Sequence, residues 1–161
     1  MTISTGDKLP EASFLKIGPG GPEEVTAGAL TAGRKVVIFA VPGAFTPTCH
    51  SAHVPSFIRT KAGFDAKGVD AIYCVAVNDP FVMKAWGEDT GAAEAGIEML
   101  SDGTGAFAQS LGMVIEQPGK WVNGRSKRYA MYVEDGVVTV FHPETGAGCE
   151  ISGGEALLDA I

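Results

Sequence analysis

Two unbroken apolar runs dominate the pattern of hydrophobic and polar positions along the chain. The first covers residues 36–41 and the second lies within residues 69–77. Runs of this length without polar alternation indicate strands that are buried on both faces. Between them, apolar residues recur at helical spacing from position 54 to position 62, and Gly63 is the expected stop. The pattern therefore predicts a β-α-β unit whose helix covers about residues 47–63.

Further elements are predicted on both sides of this unit. A turn-rich stretch at residues 18–22 separates two short N-terminal strands, and Asn78-Asp79-Pro80 is an N-cap signal for a helix that runs through Trp86. Downstream we expect a strand at 97–100, a helix at 104–111, a β-hairpin of residues 129–134 and 137–141 closed by Asp135-Gly136, and a helix at 155–161. This order is typical of an α/β, thioredoxin-like fold with an N-terminal β extension and inserted helices.

Composition narrows the class of protein. The chain has 161 residues, 45% of them hydrophobic, and we expect a single domain over residues 1–161. The formal net charge is -7 without any basic run, so we expect no nucleic-acid partner and no anionic membrane partner. The N-terminus has no basic stretch followed by an apolar segment, and no apolar run approaches the roughly 20 residues of a bilayer span. These features predict a cytoplasmic protein.

The three cysteines, at positions 49, 74 and 149, do not look like a disulfide framework. Their number is odd and their spacing is wide, which fits a reducing compartment. No two of them form the C-x-x-C motif that a zinc ribbon or the usual thiol oxidoreductase carries.

Cys49 is the strongest candidate for chemistry. If Thr46 is the N-cap and Pro47 the first helical residue, Cys49 lies in the first turn, where unpaired N–H groups and the helix dipole favour the thiolate. A thiolate without a second cysteine three residues away suits attack on a peroxide O–O bond, which would leave a sulfenic acid. The negative charge on the departing oxygen would need fixed donors, such as a guanidinium. Composition does not choose among the arginines of the chain, which are Arg34, Arg59, Arg125 and Arg128.

The sequence around Cys49 resembles a known family. Pro42, Thr46 and Cys49 form the Pro-x-x-x-Thr-x-x-Cys pattern of the peroxiredoxin active-site signature. The longer stretch at residues 41–55 resembles the type II subfamily, which includes the fifth mammalian and the plant type II peroxiredoxins. Other stretches agree with the same subfamily, namely residues 77–83, 102–107 and 127–131. The resemblance extends over nearly the whole chain.

The resemblance implies a role for each matched residue. Cys49 would be the peroxidatic nucleophile, Thr46 would hydrogen-bond the bound peroxide, and Pro42 would pack over the thiolate and keep bulk water away. Arg128, matched through its Lys-Arg-aromatic-x-Met context, would stabilise the thiolate and the transition state. His53, one turn from Cys49, would tune the pocket.

The same resemblance implies a function and an assembly. The protein would be a thiol-dependent peroxidase that reduces hydrogen peroxide and alkyl hydroperoxides, with the sulfenic acid re-reduced by glutathione and glutaredoxin or by thioredoxin. No metal, haem or flavin cofactor is expected, because the sulfur carries the redox chemistry. The active-site face would form a homodimer, with Phe45, also placed at the pocket, and Phe81 as candidate contacts. The alternatives are a general thiol-disulfide oxidoreductase and a peroxide-sensing redox module.

Three further readings concern the remaining cysteines and histidines. Cys49, His50 and His53 form a C-H-x-x-H string, but on a helix His50 is turned about 100° away from Cys49, so we expect no metal site and give His50 no role. Cys74 lies inside a predicted strand, and core packing is the favoured interpretation. Because plant type II enzymes resemble this chain in having a cysteine there, Cys74 is, like Cys149, a possible resolving cysteine. Cys149 lies near the resolving cysteine of the atypical two-cysteine relatives, displaced by about two residues. We expect an external thiol rather than Cys149 to reduce the sulfenic acid.

Overall fold

A mixed β-sheet forms the centre of the protein in the computed structural model, which describes residues 2–146 and 148–161. Its strands are β1 (Ser13–Gly18), β2 (Gly21–Thr26), β3 (Lys35–Ala40), β4 (Ala71–Ala76), β5 (Ile97–Ser101), β6 (Tyr129–Glu134) and β7 (Val137–Pro143). The helices are α1 (Ala27–Thr31), α2 (Val54–Ala66), α3 (Pro80–Thr90), α4 (Ala106–Ser110) and α5 (Gly154–Ala160), and a π-helical turn (Cys49–His53) precedes α2.

The sheet order is β2-β1-β5-β4-β3-β6-β7. β3 pairs in parallel with β4, and β4 with β5, as the predicted β-α-β unit requires. β6 and β7 add an antiparallel hairpin, whose turn residues Asp135 and Gly136 have φ of 47° and 79°. Positive φ at both positions is the geometry of the tight hairpin turn that an Asp-Gly pair favours. The predicted order of strands and helices is therefore confirmed.

Alternating side chains of the central strands divide the core into two layers. On one face, Val37 and Phe39 of β3 pack with residues of α2, α3 and α5. On the other face, Val36 and Ile38 pack with α4 and the N-terminal segment. Cys49 and Cys74 both belong to the first layer.

Two details differ from the prediction. The helix α1 was not predicted, because its five residues carry a single capping signal, the Thr26 hydroxyl that accepts a hydrogen bond from the Ala29 amide. Helix α2 does not stop at Gly63 but continues to Ala66. A Cβ on Gly63 would lie 2.6 Å from Leu158 of α5, so this glycine serves close helix packing instead of termination.

Across residues 2–146 and 148–161, no helix has both the length and the apolar character needed to cross a bilayer.

Candidate active site

The loop after β3 is held in a fixed shape by three features. The Ala44 amide donates a hydrogen bond to Asn78 Oδ1 (3.0 Å), and the Thr46 hydroxyl donates to the Gly43 carbonyl (2.6 Å). Phe45 has a φ of 63°, a left-handed conformation that non-glycine residues adopt rarely and that is often found at functional sites. The chain therefore enters the helix along a defined path.

The helix begins at Pro47, as predicted, but its first turns are not regular. Pro47 and Thr48 are α-helical, the turn Cys49–His53 is π-helical, and the Val54 amide donates to the Cys49 carbonyl. Pro55 explains the wider turn, because in an α-helix it would offer no N–H to the Ser51 carbonyl and its ring would clash with that carbonyl. Pro55 is the sequence signal for this irregularity.

Arg128 contacts the sulfur of Cys49 although 79 positions separate the two residues. Its Nη2 donates to Cys49 Sγ at 3.2 Å. The register of β3 and β6 pairs Ala40 with Tyr129, so position 128 lies just beyond the end of β3, beside the loop that leads to Cys49. Cys49 is 1% exposed and Arg128 is 5% exposed. The guanidinium thus donates a charge-assisted hydrogen bond to the sulfur in a contact from which water is excluded.

His53 holds the other side of the Arg128 guanidinium. Arg128 Nη1 lies 3.0 Å from His53 Nδ1, and His53 Nε2 lies 2.9 Å from the Ser152 carbonyl oxygen. Since a carbonyl only accepts and a guanidinium only donates, Nε2 carries the ring proton and Nδ1 accepts from Arg128. Burial, followed by the charge of Arg128, lowers the pKa of His53 from 6.5 to about 3. His53 is thus a neutral ring that fixes the guanidinium.

Thr46 lies at the N-cap position that the sequence predicted. Its carbonyl accepts from the His50 amide (2.9 Å), as an N-cap carbonyl does. Its hydroxyl donates to the Gly43 carbonyl in the preceding loop. The hydroxyl oxygen keeps lone pairs that accept a hydrogen bond from a ligand. Pro42 lies half-buried at the start of the same loop.

The two histidines of the C-H-x-x-H string have separate surroundings. Trp86 Nε1 donates to His50 Nδ1 at 3.0 Å, and His50 Nε2 lies 3.7 Å from an Asp89 carboxylate oxygen. The Phe45 ring stacks on His50 with a centroid distance of 6.0 Å and is half-exposed, so it lies on the His50 side. Both ring nitrogens of His53 are occupied by Arg128 and Ser152.

The other two cysteines differ in their access to this site. Cys74 is fully buried in the middle of β4, and burial raises the pKa of its thiol well above the usual value. Cys149 is half-buried, its Sγ lies 3.8 Å from Ser152 Oγ, and burial raises its pKa as well. Ser152, which links Cys149 to His53, was not found from the sequence, because it acts through a backbone carbonyl that every residue has.

Known proteins resemble this chain over almost its full length. The family model described as Redoxin matches residues 4–158. Peroxiredoxin-2E-2, chloroplastic, from Oryza sativa subsp. japonica is 47% identical over 99% of this chain and 73% of its own length. Peroxiredoxin-2C from the same plant is 41% identical over 99% of this chain and 98% of its own. The crystal structure of reduced Prx3 in complex with H2O2 from Vibrio vulnificus superposes with a TM-score of 0.93, at 44% identity and with 99% of each chain covered.

Proposed function

Because this chain belongs to the Redoxin family and is a peroxiredoxin, a thiol peroxidase, we propose that Cys49 is its peroxidatic nucleophile. The observation that carries this proposal is the 3.2 Å contact between Arg128 Nη2 and Cys49 Sγ at the start of a helix. A buried thiol without a cation prefers its neutral form, and this contact offsets that preference.

In the proposed reaction, the Cys49 thiolate attacks the hydroxyl oxygen of a hydroperoxide. The S–O bond forms as the O–O bond breaks, which gives a sulfenic acid and an alkoxide or hydroxide. This leaving group becomes alcohol or water by taking up, through solvent, the proton that the Cys49 thiol released on ionisation. Negative charge moves from sulfur to the leaving oxygen, so a fixed guanidinium stabilises both ends of the step. Removal of one such donor from an active site typically costs about 100- to 1000-fold in rate.

Thr46, His53 and Pro42 have supporting roles in this proposal. Thr46 accepts a hydrogen bond from the O–H of the peroxide, since its own proton is directed to Gly43. His53 stays neutral, so it orients Arg128 and does not supply protons near neutral pH. Pro42 limits the access of water to the sulfur.

The sulfenic acid is reduced by an external thiol, either glutathione with glutaredoxin or thioredoxin. The position of Cys149 supports this preference. Its Sγ lies 3.8 Å from Ser152 Oγ, and burial raises the pKa of the Cys149 thiol, which disfavours the thiolate that would have to attack the sulfenic acid.

The protein forms a homodimer through the face that carries Phe45 and Phe81. These two rings are 50% and 63% exposed and are two of the five large hydrophobic side chains that are exposed among the described residues. Both lie at the loop and helix starts beside the active site. Sedimentation velocity of the wild type and of Phe81→Asp tests the assembly: the variant is expected to be monomeric.

The function is tested by peroxide consumption with each reductant system. Wild type should turn over with thioredoxin or with glutathione and glutaredoxin, Cys49→Ser should be inactive, and Cys149→Ser should keep its activity. Activity in Cys49→Ser would refute the role of Cys49. Loss of thioredoxin-linked turnover in Cys149→Ser, with a Cys49–Cys149 disulfide seen by mass spectrometry, would refute external reduction. Oxidation of Cys49 without turnover would identify a redox sensor.

A further inference from the structure

The carboxylate of Glu144 holds the turn of residues 150–152 in place. This turn supplies no reacting group in the proposed mechanism. One oxygen, Oε2, accepts hydrogen bonds from the amides of Glu150 (2.6 Å), Ile151 (2.8 Å) and Ser152 (2.8 Å). The same oxygen accepts from the Ser152 hydroxyl at 2.7 Å. A solvated glutamate on the surface can accept from water instead, so four protein donors on one oxygen indicate a structural contact. Hydrogen bonds to a charged acceptor are about twice as strong as neutral ones.

This turn connects back to the active site at both ends. The Ser152 carbonyl accepts from His53 Nε2, and His53 Nδ1 accepts from Arg128. The Glu144 amide donates to the carbonyl of Arg128 itself at 3.0 Å. Arg128, Glu144, Ser152 and His53 therefore form a closed circuit of hydrogen bonds, and the guanidinium that contacts Cys49 is one of its members.

The neighbouring residues hold the circuit against helix α2. The Gly154 amide donates to the Ser56 hydroxyl (2.9 Å), which donates to the carbonyl of His53 (2.6 Å). A Cβ on Gly154 would lie 2.5 Å from the Ser56 carbonyl oxygen, so this close approach depends on glycine. Ser152 is fully buried. The segment that carries the Ser152 carbonyl is therefore held by Glu144 on one side and by α2 on the other.

The charge of Glu144 is consistent with this contact set. Burial would raise its pKa, but the hydrogen bonds from Ser152, Glu150 and Ile151 outweigh burial, so the pKa lies below the usual value for glutamate. Glu144 is therefore an anion at neutral pH and a full acceptor for all four donors.

We propose that Glu144 is a positioning residue of the peroxidase centre, which holds the Ser152 carbonyl against His53 and through His53 fixes the Arg128 guanidinium on the sulfur of Cys49. This inference rests on the proposed role of Cys49 and deepens it. Glu144 touches neither the peroxide nor the sulfur in this mechanism. Its effect passes through the circuit.

A purely electrostatic effect of Glu144 would have the opposite sign. A negative charge near Arg128 and Cys49 disfavours the thiolate, so removing only that charge would increase the thiolate fraction. Loosening Arg128 would decrease the thiolate fraction, because the sulfur loses its cation. The direction of the change in Cys49 reactivity with pH therefore separates positioning from charge.

The test compares Glu144→Ala, Glu144→Gln and the control Glu155→Gln with the wild type. Glu155 also contributes a negative charge at the start of α5, where it pairs with Arg59 on the surface. Two rates are measured without reductant: single-turnover oxidation of Cys49 by hydrogen peroxide, and alkylation of Cys49 by iodoacetamide as a function of pH. Glu144→Ala should oxidise at least tenfold more slowly, with the alkylation midpoint moved to higher pH. Glu144→Gln, which keeps an acceptor oxygen, should fall between Glu144→Ala and wild type, and Glu155→Gln should stay within twofold.

Oxidation of Glu144→Ala within twofold of wild type, or an alkylation midpoint moved to lower pH, would overturn the inference. If Glu144→Ala does not fold, the same two measurements on Glu144→Gln decide, with a slower oxidation of at least threefold expected. The role of Cys49 is judged separately, because it fails only if Cys49→Ser still consumes peroxide. If Cys49 is oxidised equally fast in wild type and in the Glu144 variant, only the inference about Glu144 fails.

Discussion

Cys49 and Cys74 lie in the same core layer and are both almost completely buried, yet their surroundings give them different chemistry. Cys74 is in the middle of β4, flanked by strands, and burial raises the pKa of its thiol. Cys49 is at a helix start and accepts a hydrogen bond from Arg128. Burial alone favours the neutral thiol, so the difference lies in one cation and the elements that deliver it.

The position of that cation depends on the sheet register and on a chain of hydrogen bonds. The β3–β6 register brings Arg128 to the end of β3, and His53 with the Ser152 carbonyl fixes its direction. Cys74 has strand neighbours on both sides, Phe39 of β3 and Met99 of β5, in the same register row. A reactive thiol in a dry core therefore needs an oriented hydrogen-bond donor.

Removing the cation should have the largest effect. Arg128→Met keeps much of the side-chain volume but removes the donor to Cys49. Neither Cys49 nor Cys74 then has a cation beside its sulfur. We expect oxidation of Cys49 by hydrogen peroxide to slow about 100-fold or more. Stopped-flow fluorescence in single turnover measures this rate. Arg59→Met is the matched control, because Arg59 forms an exposed ion pair with Glu155. Exposed ion pairs contribute little to stability. Equal oxidation rates in Arg128→Met and Arg59→Met would contradict the role of Arg128.

Removing the orientation but not the cation should have a smaller effect. His53→Phe keeps the ring that packs on Phe39 (5.0 Å between centroids) but removes both ring nitrogens. The guanidinium then loses its fixed acceptor, and we expect oxidation to slow about tenfold, by analogy with the loss of residues that orient a metal ligand through a hydrogen bond. His50→Gln is the control in the same π-helical turn, since its amide oxygen can still accept from Trp86. A His53→Phe rate within twofold of wild type would show that Arg128 orients itself.

The stability of the protein should also depend on His53 in acid. Its pKa is about 3 when folded and 6.5 as a free side chain, so the unfolded chain binds a proton between these values and the folded chain does not. Stability is therefore fully present above pH 6.5 and falls as the pH decreases towards 3, by about 1.4 kcal/mol per pH unit for this one group. Urea unfolding of wild type and His53→Phe at pH 7, 6 and 5 measures it. The free energy of unfolding should decrease less for His53→Phe than for wild type between pH 7 and pH 5. Equal decreases in the two proteins would contradict a neutral, buried His53.

Much of the fold could be predicted because it follows from local patterns. The apolar runs of β3 and β4 reflect burial on both faces, and Asp135-Gly136 reflects a turn with positive φ at two positions. The end of α2 could not be predicted, because Gly63 is explained by the distant Leu158 of α5. Local residues do not reveal which helix will pack on a glycine.

The candidate site divides in the same way. Cys49 and Thr46 could be placed from the helix-start pattern, whereas Arg128 was identified only through its resemblance to a family motif. The Ser152 carbonyl escaped detection because every residue has one. The carboxylate of Glu144 escaped detection because its partners are mainly backbone amides six to eight positions further along the chain, which residue type does not reveal. The tautomer of His53 is determined by its contacts with the Ser152 carbonyl and Arg128, so it could not be inferred from the sequence.

The smallest effect on the peroxide reaction should come from Cys74. Cys74→Ser places a hydroxyl in the dry centre of the sheet, where an unpaired polar group costs about 1–3 kcal/mol, so the thermal midpoint should fall. Cys74→Ala removes the sulfur without adding a polar group, so its thermal midpoint should fall by no more than that of Cys74→Ser. Both variants should oxidise at Cys49 within twofold of wild type. If both turn over peroxide at least tenfold more slowly with an external reductant while Cys49 still oxidises normally, Cys74 takes part in reduction, and the contrast between a reactive and a structural thiol no longer holds.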